Sequence, residues 1–249
     1  MKSAIKKLIR KLGYELVRSD SDSRLADFDD FHREIIRRVG AYTITTPERI
    51  HALVESVRHC VRHRVPGAMV ECGVFKGGSM MAVALTLLAE GVRDRDLYLF
   101  DTFAGMPQPG EKDVDLWGHK AQEQFADMRI SDDSSHWVNC SLANVRRVMA
   151  TTGYPEERIH YVQGLVEQTI PQNAPADISL LRLDTDWYQS TLHELVHLYP
   201  RLAANGILLV DDYGHFAGAR EAVDEYIQNN GITAFLNRID YTGRLMLKP

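Results

Sequence analysis

The sequence predicts an α/β fold: a mostly parallel sheet with helices on both faces and an antiparallel strand at one edge. Three observations carry this. First, two apolar runs, residues 178–183 and 206–210, each end in acids, Asp184 and Asp186 after one and Asp211 and Asp212 after the other, with helical spacing between them. A short apolar run bounded by turn signals reads as a buried parallel strand. Second, residues 68–73 run into a glycine turn and then a helix, the opening of a βαβ unit. Third, residues 234–239 and 243–247 are strand-like and joined by a tight turn, which suits an antiparallel edge.

Composition agrees with one large domain. The chain has 249 residues, 45% hydrophobic and 25% charged, with a net charge of −5. That length supports a sizeable core. No basic stripe dominates, so nucleic acid is not an expected partner. Cys60, Cys72 and Cys140 show no metal spacing and cannot all pair, so a reduced, cytoplasmic protein is expected. No apolar run approaches membrane-spanning length.

Taken in order, residues 1–40 read as a helical arm and linker. Ile5, Leu8, Ile9 and Leu12 share one helical face and lysines the other, but no continuous apolar core marks a signal peptide. Two roles fit this helix. One is packing on its own domain, favoured because so short a helix gains little from membrane burial. The other is contact with an anionic membrane or a second subunit, giving a homo-oligomer through the N-terminal helices. Residues 19–30 are polar and acidic, and 31–39 look helical. Thr46-Pro47 starts the next helix, with Ile50, Leu53, Val54, Val57 and Val61 on its apolar face, and Pro66-Gly67 stops it.

After the strand at 68–73 comes Gly73-Val74-Phe75-Lys76-Gly77-Gly78 and a helix at 79–88. The dinucleotide pattern and the phosphate-loop pattern both fail here, since the second glycine and the Lys-Ser are missing. The next strand, 97–101, ends in Asp101, where an acid commonly accepts ribose hydroxyls. Residues 107–140 look irregular, and a long insertion at the carboxyl edge of a sheet often serves as a lid. Asp113-Val114-Asp115 reads as solvated. A helix at 142–149, a strand at 159–164 and a short helical turn at 166–171 follow. Beyond the acid-tipped strands, whose crossover helix spans 191–202, lies a helix at 219–227.

The acids carry the chemistry. Parallel neighbours place Asp184, Asp211 and Asp212 at adjoining strand ends, and Asp186, two residues on, should face the same side as Asp184. Clustered carboxylates repel, so a positive charge should sit among them, and Mg²⁺ with oxygen ligands suits that. The alternative is that some of these acids cap helices or sit in solvated loops. His193-Glu194-Leu195-Val196-His197 matches the zinc-protease pattern H-E-x-x-H. It is weighed as a decoy: Leu192, Leu195, Val196 and Tyr199 form the core face, Glu194 points toward solvent, and Pro200 cuts the helix short.

Four motifs, Val70-Glu71-Cys72-Gly73-Val74-Phe75-Lys76-Gly77-Gly78, Phe100-Asp101-Thr102-Phe103-Ala104-Gly105-Met106-Pro107, Leu183-Asp184-Thr185-Asp186 and Val210-Asp211-Asp212-Tyr213, resemble the macrocin O-methyltransferase family in content and order. The likeness runs from about Tyr42 to the C-terminus. It implies a Rossmann-like class I methyltransferase domain over 41–249 with a seven-stranded sheet, S-adenosylmethionine as donor, and Mg²⁺. It implies Asp184, Asp211 and Asp212 as metal ligands and Asp186 as general base. The donor set it implies is Thr43, Glu71, Cys72, Gly73, Val74, Phe75, Asp101, Thr102, Val166 and Glu167. Within it, Glu71 and the Gly73 turn hold the methionine part and Asp101 the ribose. Residues 107–140 depart from the antibiotic-modifying members in length and content. The expected partner is a sugar, glycan or other small-molecule acceptor with vicinal hydroxyls. Two rival readings are a glycosyltransferase using Asp184-Thr185-Asp186 with Mn²⁺ and a non-catalytic adenosyl-binding module.

Overall fold

The computed structural model describes residues 25–249, so the N-terminal arm and the first half of the linker, 19–24, lie outside the described residues. Its first helix, α1 (Asp30–Val39), starts where Asp29 accepts the His32 N–H. Helix α2 (Pro47–Arg62) starts as its sequence predicts, with Thr46 accepting from the Arg49 N–H and Pro47 in the first turn. Then follow β1 (Ala68–Cys72), α3 (Gly78–Ala89) and β2 (Leu97–Asp101). The chain continues through α4 (Ala121–Met128), the short pair β3 (Arg129–Ser131) and β4 (Ser134–Ser135), α5 (Leu142–Ala150), β5 (Ile159–Gln163) and α6 (Val166–Thr169). It ends with β6 (Ile178–Leu183), α7 (Tyr188–Leu198), β7 (Leu202–Val210), α8 (Ala217–Asn229), β8 (Leu236–Arg238) and β9 (Arg244–Leu247).

Seven strands form one sheet in the order β5-β2-β1-β6-β7-β9-β8. The pairs through β5, β2, β1, β6 and β7 are parallel, and β9 runs antiparallel between β7 and β8, giving the sheet its antiparallel edge. Strand order reverses between β1 and β6, the topological switch point where open α/β sheets bind ligands.

Side-chain alternation along the strands divides the core. Met69, Leu180 and Leu209 face α1, α2, α3 and α5, whereas Val70, Leu181 and Leu208 face α6, α7 and α8. All residues of β1 and β6 are buried, as central parallel strands require. Shortening Leu181 to Ala would cost about 2–5 kcal/mol by the usual cavity cost. None of the helices among the described residues is long and apolar enough to cross a membrane.

Four local expectations are corrected. The crossover helix starts and stops earlier than 191–202, because Pro200 tightens its end into a turn at Tyr199–Arg201. Strand β7 then starts at Leu202 rather than Gly206. Leu202 pairs with Ile178 and Ile207 with Leu180, so residues between them bulge out, with Asn205 at a left-handed φ of 61°. The α7 core face is rotated from the expected one: Leu195, Leu198 and Tyr199 are buried, Val196 is 47% exposed, and Glu194 is fully buried. The insertion at 107–140 is not irregular throughout, since α4 and the β3–β4 pair lie within it.

Candidate active site

At the carboxyl ends of β1, β2, β6 and β7 lies a cavity of about 300 Å³. Its walls are the segment before α2, the glycine turn, the loops after β2 and β5, the acid-tipped ends of β6 and β7, and the Tyr241-Thr242 turn. Thr43, Gly73, Val74, Phe75, Asp101, Thr102, Val166, Glu167, Asp184, Asp186, Asp211 and Asp212 all line it. Glu71 and Cys72 do not; both are fully buried behind the wall.

The glycine turn is held from two sides. Gly73 has a φ of 84°, and a Cβ there would overlap the carbonyl of Asp184, so only glycine lets β1 and β6 end this close. Asp101 grips the same turn: its Oδ2 accepts the N–H groups of Val74 (2.6 Å) and Phe75 (3.1 Å), and its Oδ1 accepts from Phe103 N (2.6 Å). Burial raises its carboxyl above the ordinary value, against the pull of those N–H groups. Tyr42 accepts the Gly78 N–H through its carbonyl (3.1 Å), which docks the Tyr42–Thr45 segment beside the turn.

The acid cluster contains a feature that sequence reasoning missed. Arg182, 4% exposed, stands directly across the ladder from Glu71 on one side and beside the β7 register on the other. Its Nη1 donates to Glu71 Oε1 and to Asp184 Oδ2, each at 2.7 Å, and its Nη2 donates to Asp211 Oδ1 (2.6 Å) and Thr45 Oγ1 (3.1 Å). Arg49 bonds the other Asp211 oxygen and also Asp240 Oδ2 (3.0 Å), tying α2 to the β8–β9 turn. The signal was present, since Arg182 interrupts an otherwise apolar strand. A charge in a central strand is almost never buried unless paired. The positive charge expected among these acids is therefore supplied in part by two arginines.

With both Asp211 oxygens bonded to arginine, the carboxylates that gather are Asp184, Asp186 and Asp212, whose oxygens lie within 4.8 Å of one another. Asp186 does face the same side as Asp184, but not through strand alternation. The strand has ended at Leu183, and a left-handed φ of 68° at Asp186 turns it back. Burial pushes the Asp186 carboxyl up to about 7, with a hydrogen bond to Asp212 opposing and the Asp184 charge adding. Asp212 is raised well above its usual range by burial and by Asp186, and its Oδ2 is buried without a hydrogen-bond partner. Asp184 is raised strongly by burial, with Arg182 opposing. Burial likewise lifts Glu71 to about 7 against the pull of Arg182. Three hard oxygen donors that burial and mutual repulsion hold high, one with an orphaned oxygen, fit a divalent cation such as Mg²⁺.

The zinc-type pattern does not assemble. His193 Nε2 lies 3.0 Å from the Ile170 carbonyl, and Glu194 Oε1 accepts from Thr185 Oγ1 at 2.9 Å. Neither enters the only metal-capable cluster found among the described residues.

Asp113 was expected in solvent and instead anchors the 107–140 insertion. It is 2% exposed, with Oδ2 accepting from Gly110 N (2.7 Å) and Oδ1 from Tyr188 N (2.8 Å). The Trp187 indole N–H donates to the Pro107 carbonyl (3.1 Å), and Trp137, Trp187 and Phe216 pack edge to face beneath the loop. Trp137 and Phe216 reach the cavity wall.

Comparison with known proteins agrees with this geometry. The family model for macrocin-O-methyltransferase (TylF) matches residues 13–248, so the likeness begins well before Tyr42. Demethyldecarbamoylnovobiocin O-methyltransferase from Streptomyces niveus is 32% identical over 86% of this chain and 81% of its own length. Mycinamicin III 3''-O-methyltransferase from Micromonospora griseorubida is 30% identical over 82% of this chain and 77% of its own. The solved structure of the O-methyltransferase NovP superposes with a TM-score of 0.73 at 28% identity, covering 83% of this chain and 82% of that one. These matches displace the glycosyltransferase and non-catalytic readings. By the family model and these identities, over a sheet of the Rossmann-like type, the chain belongs to the TylF macrocin-O-methyltransferase family of enzymes.

Proposed function

We propose that this protein transfers the methyl group of S-adenosylmethionine to a hydroxyl of a sugar, on a natural product or glycan that presents vicinal hydroxyls, with Mg²⁺ at the acid cluster. The observation that carries the proposal is the meeting of Asp184, Asp186 and Asp212 on the wall of the cavity that the Gly73 turn also lines. Donor and acceptor sites thus share one enclosed space. A relative's name supplies the sugar: the 8-demethyl-8-(2,3-dimethoxy-alpha-L-rhamnosyl)-tetracenomycin-C 4'-O-methyltransferase of Streptomyces olivaceus, 30% identical over 82% of this chain, has a rhamnosyl group in its substrate's name.

Donor binding falls to the turn at Gly73–Phe75, to Asp101 and Thr102, and to the Thr43 and Val166-Glu167 segments. Glu71 acts from behind the wall. It neutralises Arg182 and so fixes the base of the site, rather than touching the donor in the present arrangement. In the transfer, the hydroxyl oxygen forms a bond to the methyl carbon, the carbon–sulfur bond breaks and its electron pair returns to sulfur. The hydroxyl proton goes to a carboxylate, and Asp186 is assigned that role. Its carboxyl is held near 7, which poises it for proton transfer at neutral pH. Asp184 and Asp212 would hold the Mg²⁺, with Asp211 as the third ligand. When bound, the ion supplies Lewis-acid stabilisation of negative charge on the attacking oxygen. The remaining acceleration comes from alignment of the two reactants.

A second reading is favoured by the gathering itself: Asp186 is the third ligand and Asp211 only an anchor for Arg49 and Arg182. Calorimetric titration of Mg²⁺ into Asp186→Asn and Asp211→Asn, beside their turnover, separates them. The first reading expects Asp186→Asn to keep its Mg²⁺ affinity and lose turnover. A fall in affinity of about tenfold or more in Asp186→Asn alone would establish the second.

A further inference from the structure

Trp117 is 67% exposed, although the insertion that carries it is firmly held. Its turn is tied by backbone, not by the indole: Asp115 Oδ1 accepts the N–H groups of Trp117 (2.9 Å) and His119 (2.8 Å). Val114 bridges Lys120, Asp115 bridges Phe216, and Gly118 closes the turn at a φ of 88°. A loop so braced presents its indole to solvent without gaining core packing from it. The indole stands edge-on to His215, ring centroids 5.6 Å apart, and His215 lines the cavity. Tyr241, 51% exposed and also on the wall, lies 6.3 Å from His215 on centroids. His215 Nδ1 is buried with no hydrogen-bond partner in the structure. The three rings therefore form one aromatic group that joins the cavity wall at His215 and Tyr241 to the exposed Trp117 indole.

Aromatic faces carry partial negative charge and attract the C–H-rich faces of saccharide rings and the edges of other flat rings. Such side chains give large contact area at little entropic cost, because only two torsions must be fixed. We propose that Trp117, His215 and Tyr241 form an outer acceptor subsite that takes the ring linked to the sugar being methylated. The substrate is then a glycoside of at least two rings rather than a free monosaccharide. Trp117 supplies the stacking face, and His215 and Tyr241 carry the aromatic contact from the cavity wall toward it. This rests on the methyl-transfer reading above and specifies the shape of its acceptor.

The test uses the full chain, saturated with S-adenosylhomocysteine and Mg²⁺. Paired methyl and para-nitrophenyl glycosides of L-rhamnose, D-glucose, D-galactose and D-mannose are titrated by calorimetry. For at least one sugar the nitrophenyl glycoside should bind about tenfold more tightly than the methyl glycoside, the gain expected of one good stacking contact. Trp117→Ala should shrink that ratio to within about twofold, and Trp117→Phe should keep most of it. Both variants should bind S-adenosylhomocysteine like the parent, which establishes that they fold. Equal binding of the paired glycosides, no binding of any, or a ratio that survives Trp117→Ala would overturn the subsite. Failure of the parent protein to bind S-adenosylhomocysteine would instead strike the methyl-transfer reading beneath it.

Discussion

Arg182 and Glu71 face each other across the β1–β6 ladder, joined by a 2.7 Å bond from Nη1 to Oε1, and both are buried. The same nitrogen reaches Asp184 at 2.7 Å, so one guanidinium links the acid behind the glycine turn to the acid cluster. Burial opposes the Arg182 charge, but Asp184, Asp211 and Glu71 together outweigh it, and its pKa is raised.

Breaking this link should be costly. Arg182→Met leaves Glu71, Asp184 and Asp211 without their shared counter-charge, and removing one partner of a buried ion pair costs about 3–5 kcal/mol. Urea unfolding of metal-free protein should show that loss in the midpoint at unchanged slope. Arg182→Lys keeps the charge but not the fork that spans four acceptors, so it should fall between. A Met variant as stable as the parent would show that the guanidinium does not hold the strand ends together.

The glycine turn makes a separate claim. Gly73→Ala asks an alanine to adopt a left-handed φ at a cost of about 1–2 kcal/mol and also drives its Cβ into the Asp184 carbonyl. The expected outcome is a folded protein whose affinity for S-adenosylhomocysteine drops by more than about tenfold, because turn and acid cluster are displaced together. Unchanged affinity would separate the turn from the donor site.

Proton linkage should be visible in stability. The Asp186 carboxyl is held at about 7, up from an ordinary 3.8. Between those values the folded chain keeps a proton that the unfolded chain has lost, so this group's contribution to stability falls as pH rises through the window. Asp184 and Asp212 are raised in the same direction. Cation binding requires deprotonated ligands, so added Mg²⁺ should raise Tm little near about pH 5 and by several degrees near about pH 8. A Mg²⁺ shift that shrinks with rising pH would contradict the assignment of the cluster.

The 107–140 insertion has its own anchor. Asp113→Ala leaves the Gly110 and Tyr188 N–H groups unsatisfied, a penalty of about 1–3 kcal/mol spent locally. Proteolysis within 107–140 should accelerate, and kcat/KM for the acceptor should fall, while donor affinity stays the same. Equal protease resistance would remove Asp113 from that role.

Much of this architecture was legible in the residues. The two acid-tipped strands, the Gly73 turn and the Thr46 cap are local signals, and each formed at its pattern, the second strand with an earlier start at Leu202. What escaped depends on contacts distant in sequence. Arg182 stands out as a charge in an apolar strand, but its partner is unknown until Glu71, 111 positions away, is placed beside it. Asp113 looks solvated until α7 supplies the Tyr188 N–H. Glu194 looks solvent-facing until the bend after β6 brings Thr185 against it. Asp186 was placed correctly for an incomplete reason, since a backbone turn, not strand alternation, returns it to Asp184.

The most direct test of the account is calorimetric titration of S-adenosylhomocysteine into the purified chain, with and without Mg²⁺. The account predicts one site of micromolar affinity in the parent protein and its loss in Gly73→Ala. Absence of binding under both conditions, in a protein shown to be folded, would contradict a donor site at the Gly73 turn and with it the proposed methyl transfer.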